Sequence, residues 1–571
     1  MEVPARDPSV ANTSNTPTLA GTPAQSVKKT SRPPSRSDSI QRISADDDSV
    51  VVPVKDRAPP FVVALCLFQS LAGLLFGWEQ GVIAGLVQNG DYARRFGEPD
   101  AASATGFSIP STRQSLITSF MSLGALFGAL SMSTISARFG IKVSYLFSLV
   151  IFMIGLAIET SAMNTWEQAM IGRLVTGYGV GSLSLLAPLY QAECSPKHLR
   201  GLITGTYQLM ATVGIFLSNA VNYSLHNRND AFSWRFPIAV QFIFAGFIFL
   251  GTAFAPESPR FYVQRGNLHQ AQVNLAKLRG YQPEDPEVAR EMDQIIKGVE
   301  QDKLAKSAGY LDCFKAKDRM LLRTMNGVLI QMGQQWTGVN FFFSYGNKFF
   351  ATSGISDSYL TQLILSACNV GATFPGLFAV DRLGRRALLF IGSFMMFSGQ
   401  IIAGAMAASH PNDPSYGKGL IFASCWFIAG FAASWGPLGW VVAAEQFPLR
   451  IAPYCVSLAT ASNWLNNFLI ALIVPYITDS GYGNFQTNIT FLWAGTIALF
   501  TTYVFFFIPE TRGLSLAQVD ELYLTKVPAW RSASWTPYGS KEQGDDAQKL
   551  KLGAQSSHLE KVQRRDLADE A

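Results

Sequence analysis

The sequence predicts an all-α membrane protein of twelve transmembrane helices, arranged as two six-helix bundles. Three observations lead to this fold class. Hydrophobic residues make up 48% of the 571 residues and charged residues only 15%, well below the roughly 25% charge of soluble proteins. Twelve apolar runs of about 20 residues are long enough to cross a bilayer. The same charged motifs occur twice, about 250 residues apart, as in an internally duplicated membrane protein.

The apolar runs divide equally between two halves of the chain. In the first half they cover residues 61–86, 114–135, 143–162, 167–190, 202–224 and 236–255. In the second half they cover residues 323–346, 358–380, 387–408, 419–443, 452–477 and 487–508. We therefore expect an N-terminal bundle over 59–255 and a C-terminal bundle over 322–510.

The remaining segments are polar. Residues 1–58 are rich in Ser, Pro, Thr and Asp, which predicts a disordered cytoplasmic tail, and 511–571 form a second cytoplasmic tail. Residues 256–321 are charged and contain no membrane-length run. The helical spacing of their apolar residues predicts a cytoplasmic linker with short helices at 268–279 and 287–306.

Loop charges predict the orientation. If the first span runs outward, the basic residues of the short loops fall on one side, which makes that side and both termini cytoplasmic. These residues are Arg138, Lys142, Lys197, Arg200, Arg382, Arg385, Arg386 and Arg450. No basic patch suggests a nucleic-acid partner. The six cysteines lack a metal or redox spacing, and no Walker-type loop supports ATP-driven pumping, so we expect no cofactor.

Three motifs occur once in each half, near the predicted cytoplasmic ends of the spans. Asp381-Arg382-Leu383-Gly384-Arg385-Arg386 repeats a degraded copy, Ala137-Arg138-Phe139-Gly140-Ile141-Lys142; Pro256-Glu257-Ser258 matches Pro509-Glu510-Thr511, and Glu193 matches Glu445. Charge pairs between the halves would close the inner face in one conformation and open it in another; anchoring at the membrane surface is the alternative. The expected gating residues are Arg138, Glu193, Arg200, Glu257, Arg260, Asp381, Arg382, Arg386, Glu445, Arg450 and Glu510.

Several amides lie inside the predicted spans, where polar side chains are costly and therefore usually line a cavity or pair with another group. The seventh span contains Gln331-Met332-Gly333-Gln334-Gln335-Trp336-Thr337-Gly338-Val339-Asn340, and its two glycines could break the helix and gather the amides. Further amides are Gln208, Asn369 and Asn463. A carboxamide both donates and accepts hydrogen bonds, which suits a polyhydroxyl ligand such as a sugar. Packing between helices is the alternative.

Two tryptophans and two ionisable residues complete the candidate sites. Trp440 and Trp464 could lie against the apolar face of a sugar ring, or could serve as interface anchors. Glu79 in the first span and Arg173 in the fourth lie deeper than topology explains. A buried carboxylate that pairs with an arginine and then separates from it could act as a proton-coupled switch. A static ion pair that fixes helix packing explains the two residues equally well.

Seven ordered motifs resemble the sugar porter family of the major facilitator superfamily, over about residues 60 to 525. They are Gly172-Arg173…Gly177-x-Gly179-x-Gly181, Pro188-x-Tyr190-x-x-Glu193-x-Ser195-Pro196-x-x-x-Arg200-Gly201, Pro256-Glu257-Ser258-Pro259-Arg260, Gln334-Gln335-x-Thr337-Gly338-x-Asn340, Asp381-Arg382-x-Gly384-Arg385-Arg386, Trp435-Gly436-Pro437-x-x-Trp440-x-x-x-x-Glu445-x-Phe447-Pro448 and Pro509-Glu510-Thr511-Arg512-Gly513. The segment Gln191-Ala192-Glu193-Cys194-Ser195-Pro196-Lys197-His198 is similar to fungal hexose transporters.

The resemblance implies the major facilitator fold and alternating access around a central sugar site. It implies that the sugar ligands are Gln208, Gln334, Gln335, Asn340, Asn369, Trp440 and Asn463, with Trp464 nearby. It also assigns Glu79 to the position of a proton-coupling aspartate and Arg173 to its partner. The expected function is monosaccharide transport across the plasma membrane, for glucose and related hexoses, by a monomer, as sugar:proton symport. A facilitative uniporter and a non-transporting sugar sensor are the alternatives, and an enzyme is not expected.

The chain departs from the family pattern at a few positions. Ala137 and Ile141 replace charged residues of the first cassette, which is expected to weaken gating in the N-terminal half. Glu79 is one methylene longer than the usual aspartate. Gly439 replaces a frequent proline before Trp440, which is expected to loosen that helix.

Overall fold

The computed structural model describes residues 59–101, 106–195, 200–304, 309–352, 357–409, 414–448, 451–479, 481–485, 488–514 and 516–537. The predicted tail 1–58 and the part of the second tail from residue 538 lie outside these ranges. The described residues are mostly helical, with one two-stranded antiparallel ribbon of β1 (Glu98–Pro99) and β2 (Phe107–Ser108).

Among its described residues, the N-terminal half contains nine helices. They are α1 (Pro60–Gln69), α2 (Leu71–Leu86), α3 (Gly90–Phe96), α4 (Ser111–Phe139), α5 (Ile141–Thr160), α6 (Trp166–Cys194), α7 (Arg200–Leu225), α8 (Phe232–Ala239) and α9 (Gln241–Phe254). The pairs α1–α2 and α8–α9 each form one span with a short interruption.

The linker and the C-terminal half follow in the same way. The linker contains α10 (Pro259–Gln264), α11 (Leu268–Arg279), α12 (Pro286–Leu304) and 3-10 turns at Tyr310–Phe314 and Lys317–Arg319. The C-terminal half contains α13 (Met320–Gln335), α14 (Val339–Thr352), α15 (Ser358–Leu383), α16 (Arg385–Ser409), α17 (Pro414–Ala433), α18 (Trp435–Glu445), α19 (Ala452–Thr478) and α20 (Ile489–Phe507). After it come α21 (Leu516–Leu524) and a 3-10 turn at Ala529–Ser534.

The helices correspond to the twelve apolar runs, and the two predicted linker helices are α11 and α12; residues 305 and 306 of the second prediction lie outside the described ranges. By length and composition alone, ten described segments could cross a membrane. The other two spans are α7 and the pair α13–α14. These carry buried polar residues that lower their hydropathy, because polar groups at membrane depth are tolerated where they face protein rather than lipid.

The glycines and the arginine of the α6 motif have different structural roles. Side chains added at Gly177 and Gly181 would collide with the backbone carbonyl oxygens of Met121 and Ala125 in α4. The glycine pattern therefore serves close helix packing, as expected for a membrane bundle. The α6 helix also places Arg173 inside the N-terminal half, where it is 1% exposed.

Two faces of the molecule are named here by the elements that lie on them. The linker face is the one at which α4 ends, α5 begins and the linker helices pack. The ribbon face is the opposite one, at which α2 ends and β1 and β2 pair.

Candidate functional site

The seventh span is broken at Gly338. The α13 helix ends at Gln335, and α14 begins at Val339. Gly338 has a φ of 87°, a left-handed conformation that glycine adopts without steric cost. Gly333, the other glycine considered, stays within α13, where a Cβ would lie 2.7 Å from a ring carbon of Phe500. The break lets amides on both sides of it turn towards one region.

A network of amides forms on the C-terminal half beside this break. Gln334 donates from Nε2 to the carbonyl oxygens of Trp435, at 3.0 Å, and Gly436, at 2.8 Å. Asn463 donates from Nδ2 to Oε1 of Gln334 and to Oε1 of Gln331, both at 2.7 Å. Because these side chains are buried, their orientations are fixed by one another, which prepares them to bind a polar ligand.

Gly439 explains how Gln334 fits against α18. A Cβ at this position would lie 2.6 Å from Nε2 of Gln334. The glycine that replaces the family's proline therefore makes room for the amide, in addition to removing a helix constraint.

Gln80 links this network to the N-terminal half. Its Nε2 donates to Oδ1 of Asn340 at 3.2 Å and lies 3.4 Å from Oγ of Ser344. Asn340 in turn donates to Oε1 of Gln335. The sequence motifs pointed to Asn340 and Gln335 but not to Gln80, although an amide directly after Glu79 in a membrane span was a signal that could have identified it.

The other predicted sugar ligands differ in their surroundings. Gln208 is partly exposed, and its Nε2 lies 3.6 Å from the position of a Cβ on Gly436. Asn369 is buried, and within the described part of the chain its Oδ1 has no hydrogen-bond partner. Trp440 is partly exposed on α18. Unpartnered or open polar groups at membrane depth are the ones that a ligand can satisfy.

Trp464 holds the two halves together. It is 1% exposed, its Nε1 donates to Oγ of Ser184 at 3.2 Å, and its ring meets that of Phe76 edge to face at 5.2 Å. Both partners belong to the N-terminal half, whereas Trp464 belongs to α19. Its ring is thus occupied by packing between the halves, unlike that of Trp440.

The two predicted ionisable residues meet, and a third joins them. The guanidinium Nη1 of Arg173 lies 3.2 Å from Oε2 of Glu79 and 3.5 Å from Oε1 of Glu159. Gln241 donates to Oε1 of Glu79 at 2.7 Å. All four side chains are buried. Glu159 was not predicted from the sequence. It lies in the last turn of α5, and nothing in its own segment indicates that it faces an arginine on α6.

The duplicated glutamates cap helices. Glu257 accepts from the backbone N–H groups of Ile141 (3.1 Å) and Lys142 (3.0 Å) at the start of α5. Glu510 accepts from the backbone N–H groups of Arg385 and Arg386, both at 2.9 Å, at the start of α16. A carboxylate at a helix N-terminus satisfies free N–H groups and complements the helix dipole. Burial raises the pKa of the Glu257 carboxyl above its ordinary value, against the effect of these hydrogen bonds.

The cassette glycines complete the same repeat. Gly140 ends α4 with a φ of 94°, and Gly384 ends α15 with a φ of 90°. Each allows the chain to turn directly from one span into the next, whose N-terminus the glutamate caps. The duplication therefore builds one structural corner in each half.

The predicted ion pairs between the halves differ from those the structure forms. Glu445 pairs with Arg385 at 2.7 Å within the C-terminal half, where Arg386 donates to the carbonyl of Val504 at 3.0 Å. Glu193 accepts from the hydroxyl of Ser258 at the start of the linker. Glu257 and Glu510 cap helix corners, and a gating role for the glutamates stays a prediction.

For the remaining gating candidates the expected role stays a prediction. Arg138 and Arg382 are exposed, and Arg260 is partly exposed. Arg450 lies outside the described residues, as do the side chains of Arg200 and Asp381.

On the linker face, Tyr310 connects the two halves through hydrogen bonds. Its hydroxyl lies 2.7 Å from Oγ of Ser133 in α4 and 3.2 Å from Oγ of Ser457 in α19. Ser457 itself donates to the carbonyl of Ala129 at 3.2 Å. A linker residue therefore bridges the two halves through hydroxyl groups, which break and reform at little cost.

On the ribbon face, hydrogen bonds close the molecule between α2 and the C-terminal half. Asn347 donates to the carbonyl oxygen of Ala84 at 3.2 Å, and the hydroxyl of Tyr359 donates to the carbonyl oxygen of Gly85 at 3.0 Å. Ser111 also donates to Asp479. The amide network thus lies beneath a face that is held closed by direct contacts.

Comparisons with known proteins agree with this architecture. The model of the family "Sugar (and other) transporter" matches residues 65–523. Hexose transporter 2 of Kluyveromyces lactis is 36% identical over 514 residues, which cover 88% of this chain and 90% of that protein. The galactose transporter of Saccharomyces cerevisiae is 35% identical over 520 residues, with 89% and 90% covered.

A solved structure shows the same fold. The structure of the major facilitator superfamily proton:xylose symporter XylE bound to 6-bromo-6-deoxy-D-glucose superimposes with a TM-score of 0.69 at 24% identity, over 82% of this chain and 100% of that one. These relatives are multi-pass membrane transporters and not enzymes. The chain therefore has the major facilitator fold and belongs to the sugar transporter family.

Proposed function

We propose that this protein carries hexoses, glucose first among them, across the plasma membrane in symport with protons. Membership of the sugar transporter family establishes a multi-pass sugar transporter; the particular sugar, the coupling ion and the membrane are the proposed parts. The observation that carries the proposal is the pairing of a pre-oriented amide network in the C-terminal half with a buried carboxylate and guanidinium pair in the N-terminal half.

The sugar would bind to the amides beside the break in the seventh span. Gln334, Gln335 and Asn340 each present both donor and acceptor atoms, which matches a hexose whose hydroxyls also do both. Gln208, Asn369 and Asn463 would extend the site. Relatives named as hexose and galactose transporters support this class of substrate.

The aromatic ring of the site would be Trp440. It is partly exposed on the helix whose first carbonyls hold Gln334. A sugar ring presents an apolar C–H face that an indole can cover. Trp464 would act instead on the approach of the two halves, because its own ring and Nε1 are already engaged.

Proton coupling would use the contact between Glu79 and Arg173. At 3.2 Å, and with both groups buried, the pair is stable only while each neutralises the other. Protonation of a carboxylate in this cluster would release the arginine, which gives the two states that a coupled transporter needs.

Alternating access would rock residues 59–255 against residues 322–510, with 256–321 joining the two. In this proposal the ribbon face is extracellular and the linker face cytoplasmic, so both termini are cytoplasmic, and one chain suffices. The helix corners built by Glu257 and Glu510 would keep each half rigid. The hydroxyl of Tyr310 would lose its hydrogen bond to one of the two halves when the linker face opens. The contacts of Asn347 and Tyr359 would open to admit sugar.

The experiment is uptake by cells that lack their own hexose transporters and express this chain. Added glucose should enter the cells, alkalinise the medium and support growth, and an uncoupler should reduce the uptake. Uptake without alkalinisation, indifferent to the uncoupler and to Glu79→Gln, would identify a facilitative uniporter. Surface expression without uptake would identify a sensor. Competition of labelled glucose with other sugars then ranks the substrates.

A further inference from the structure

The N-terminal half buries two carboxylates around a single guanidinium. Arg173, Glu79 and Glu159 are each 1% exposed. With all three ionised, the cluster would carry a net negative charge away from water. An uncompensated buried charge costs several kcal/mol, and such a group takes up a proton instead. The composition of the cluster therefore requires one proton, and the remaining question is which carboxyl group holds it.

The hydrogen bonds distinguish the two carboxyl groups. Both oxygens of Glu79 have a donor, Oε2 from Arg173 at 3.2 Å and Oε1 from Gln241 at 2.7 Å. Glu159 has only the longer 3.5 Å approach of Arg173 to Oε1. Its Oε2 is buried without a hydrogen-bond partner among the described residues. Donors stabilise a carboxylate, whereas a carboxyl group with few donors is better neutral.

We infer that Glu159 is the proton-binding residue of this transporter and that Glu79 stays ionised, pairing with Arg173 while Glu159 holds the proton. The inference deepens the proposed function and rests on it for the role of the proton in transport. In each cycle a proton from the extracellular water would bind to the carboxylate of Glu159 and later leave it for the cytoplasmic water. No other bond is made or broken.

Other charged groups at this end of the half have partners of their own or face solvent. Asp91 pairs with Arg95, Arg113 with Glu98 and Arg228 with Asp230, each at 2.7 Å. Arg235 donates to the carbonyl of Ala162 at 2.9 Å, and Arg94 and Glu167 are exposed. Tyr92 of α3 also faces the cluster, and within the described ranges its buried hydroxyl has no hydrogen-bond partner. The charge of Glu159 is therefore balanced by Arg173 alone or by a proton.

A route from this proton to the sugar site runs through α2. Loss of the proton from Glu159 would draw Arg173 towards it and away from Glu79. Glu79 is followed directly by Gln80, which donates to Asn340 of the C-terminal half at 3.2 Å. A shift of α2 that follows the arginine would therefore change a contact to a proposed sugar ligand. The α2 helix would then have two positions, one for each protonation state of Glu159, and would couple the proton to the sugar site.

The test is infrared difference spectroscopy on the full chain in lipid, with pH jumps in H2O and D2O. The wild type should show the carbonyl band of a buried protonated carboxyl group. Glu159→Asp should shift this band and Glu79→Asp should leave it in place, because both variants keep two carboxyl groups around one guanidinium. Glu159→Gln and Glu79→Gln should each abolish the band, since the remaining carboxylate and Arg173 then neutralise each other. A shift of the band in Glu79→Asp rather than in Glu159→Asp, or no band in the wild type, would overturn the inference.

Transport assays separate this inference from the proposed function. Glu159→Gln should lose sugar-driven proton uptake in proteoliposomes. The matched control is Glu167→Gln, an exposed acid in the first turn of α6, which should leave proton uptake unchanged. If the wild type moves sugar without protons, symport is wrong, whereas the infrared band still reports where the buried proton lies. If the wild type moves protons but the band belongs to Glu79, only the present inference fails.

Discussion

Substitution of Gly439 by alanine tests whether the amide network is the sugar site. The added Cβ would lie 2.6 Å from Nε2 of Gln334, so the amide must move. Movement breaks its hydrogen bonds to the carbonyls of Trp435 and Gly436. At about 0.5–1.5 kcal/mol for each bond, the lost pre-organisation is about 1–3 kcal/mol, which corresponds to an increase of about 5- to 150-fold in the KM for glucose.

The control is Gly495→Ala in α20. Among the described residues, no atom lies within 4 Å of a Cβ placed at this exposed position. Both substitutions add the same methyl group to a helix and gain the same helix propensity, about 0.8–1 kcal/mol, so the comparison isolates the collision with Gln334. Labelled glucose uptake would be measured over a concentration series and normalised to the surface amount of each variant. An unchanged KM in Gly439→Ala at normal expression would refute the assignment of Gln334 to the sugar site.

Three further perturbations address the frame around the site. Glu510→Gln should cost about 0.3–1 kcal/mol at the capped N-terminus of α16 and lower the Tm in detergent; an unchanged Tm would contradict the capping role. Trp464→Phe keeps an aromatic ring but removes the larger indole and its hydrogen bond to Ser184, so the free energy of unfolding, measured by chemical denaturation, should fall by at least about 0.5–1.5 kcal/mol. The hydroxyl of Ser111 holds the pKa of the Asp479 carboxyl below its ordinary value of 3.8. The stabilisation of the folded state by this contact is therefore present above pH 3.8 and lost as pH falls through the lower folded pKa, and Asp479→Asn should remove that pH dependence from the Tm.

The sequence predicted the helices well because membrane spans are set by length and hydropathy. The seventh span shows what a local signal can add, since Gly338 marked the break that gathers Gln334, Gln335 and Asn340. Pairing across the bundle was harder to predict. Glu159 ends its helix near the membrane surface, where an acidic residue needs no special explanation, and only the packing of α5 against α6 brings it to Arg173.

The charged cassettes illustrate the same limit. Their repeated order predicted shared roles, and Glu257 and Glu510 do perform the same role in both halves. The repeat did not predict that these glutamates cap helices, because a sequence repeat does not reveal whether a charged side chain contacts the other half or its own surroundings. On the linker face, the described contacts between the halves include those of Tyr310, a linker residue outside the repeated motifs, and that of Ser457 with Ala129.

The most direct measurement is the joint flux of sugar and protons in proteoliposomes that contain the purified chain. With a pH gradient imposed so that the interior is alkaline, we predict that glucose accumulates above its external concentration, that protons enter with it, and that an uncoupler abolishes the accumulation. Glucose that only equilibrates across the membrane, with no proton movement linked to it, would contradict hexose and proton symport by this protein.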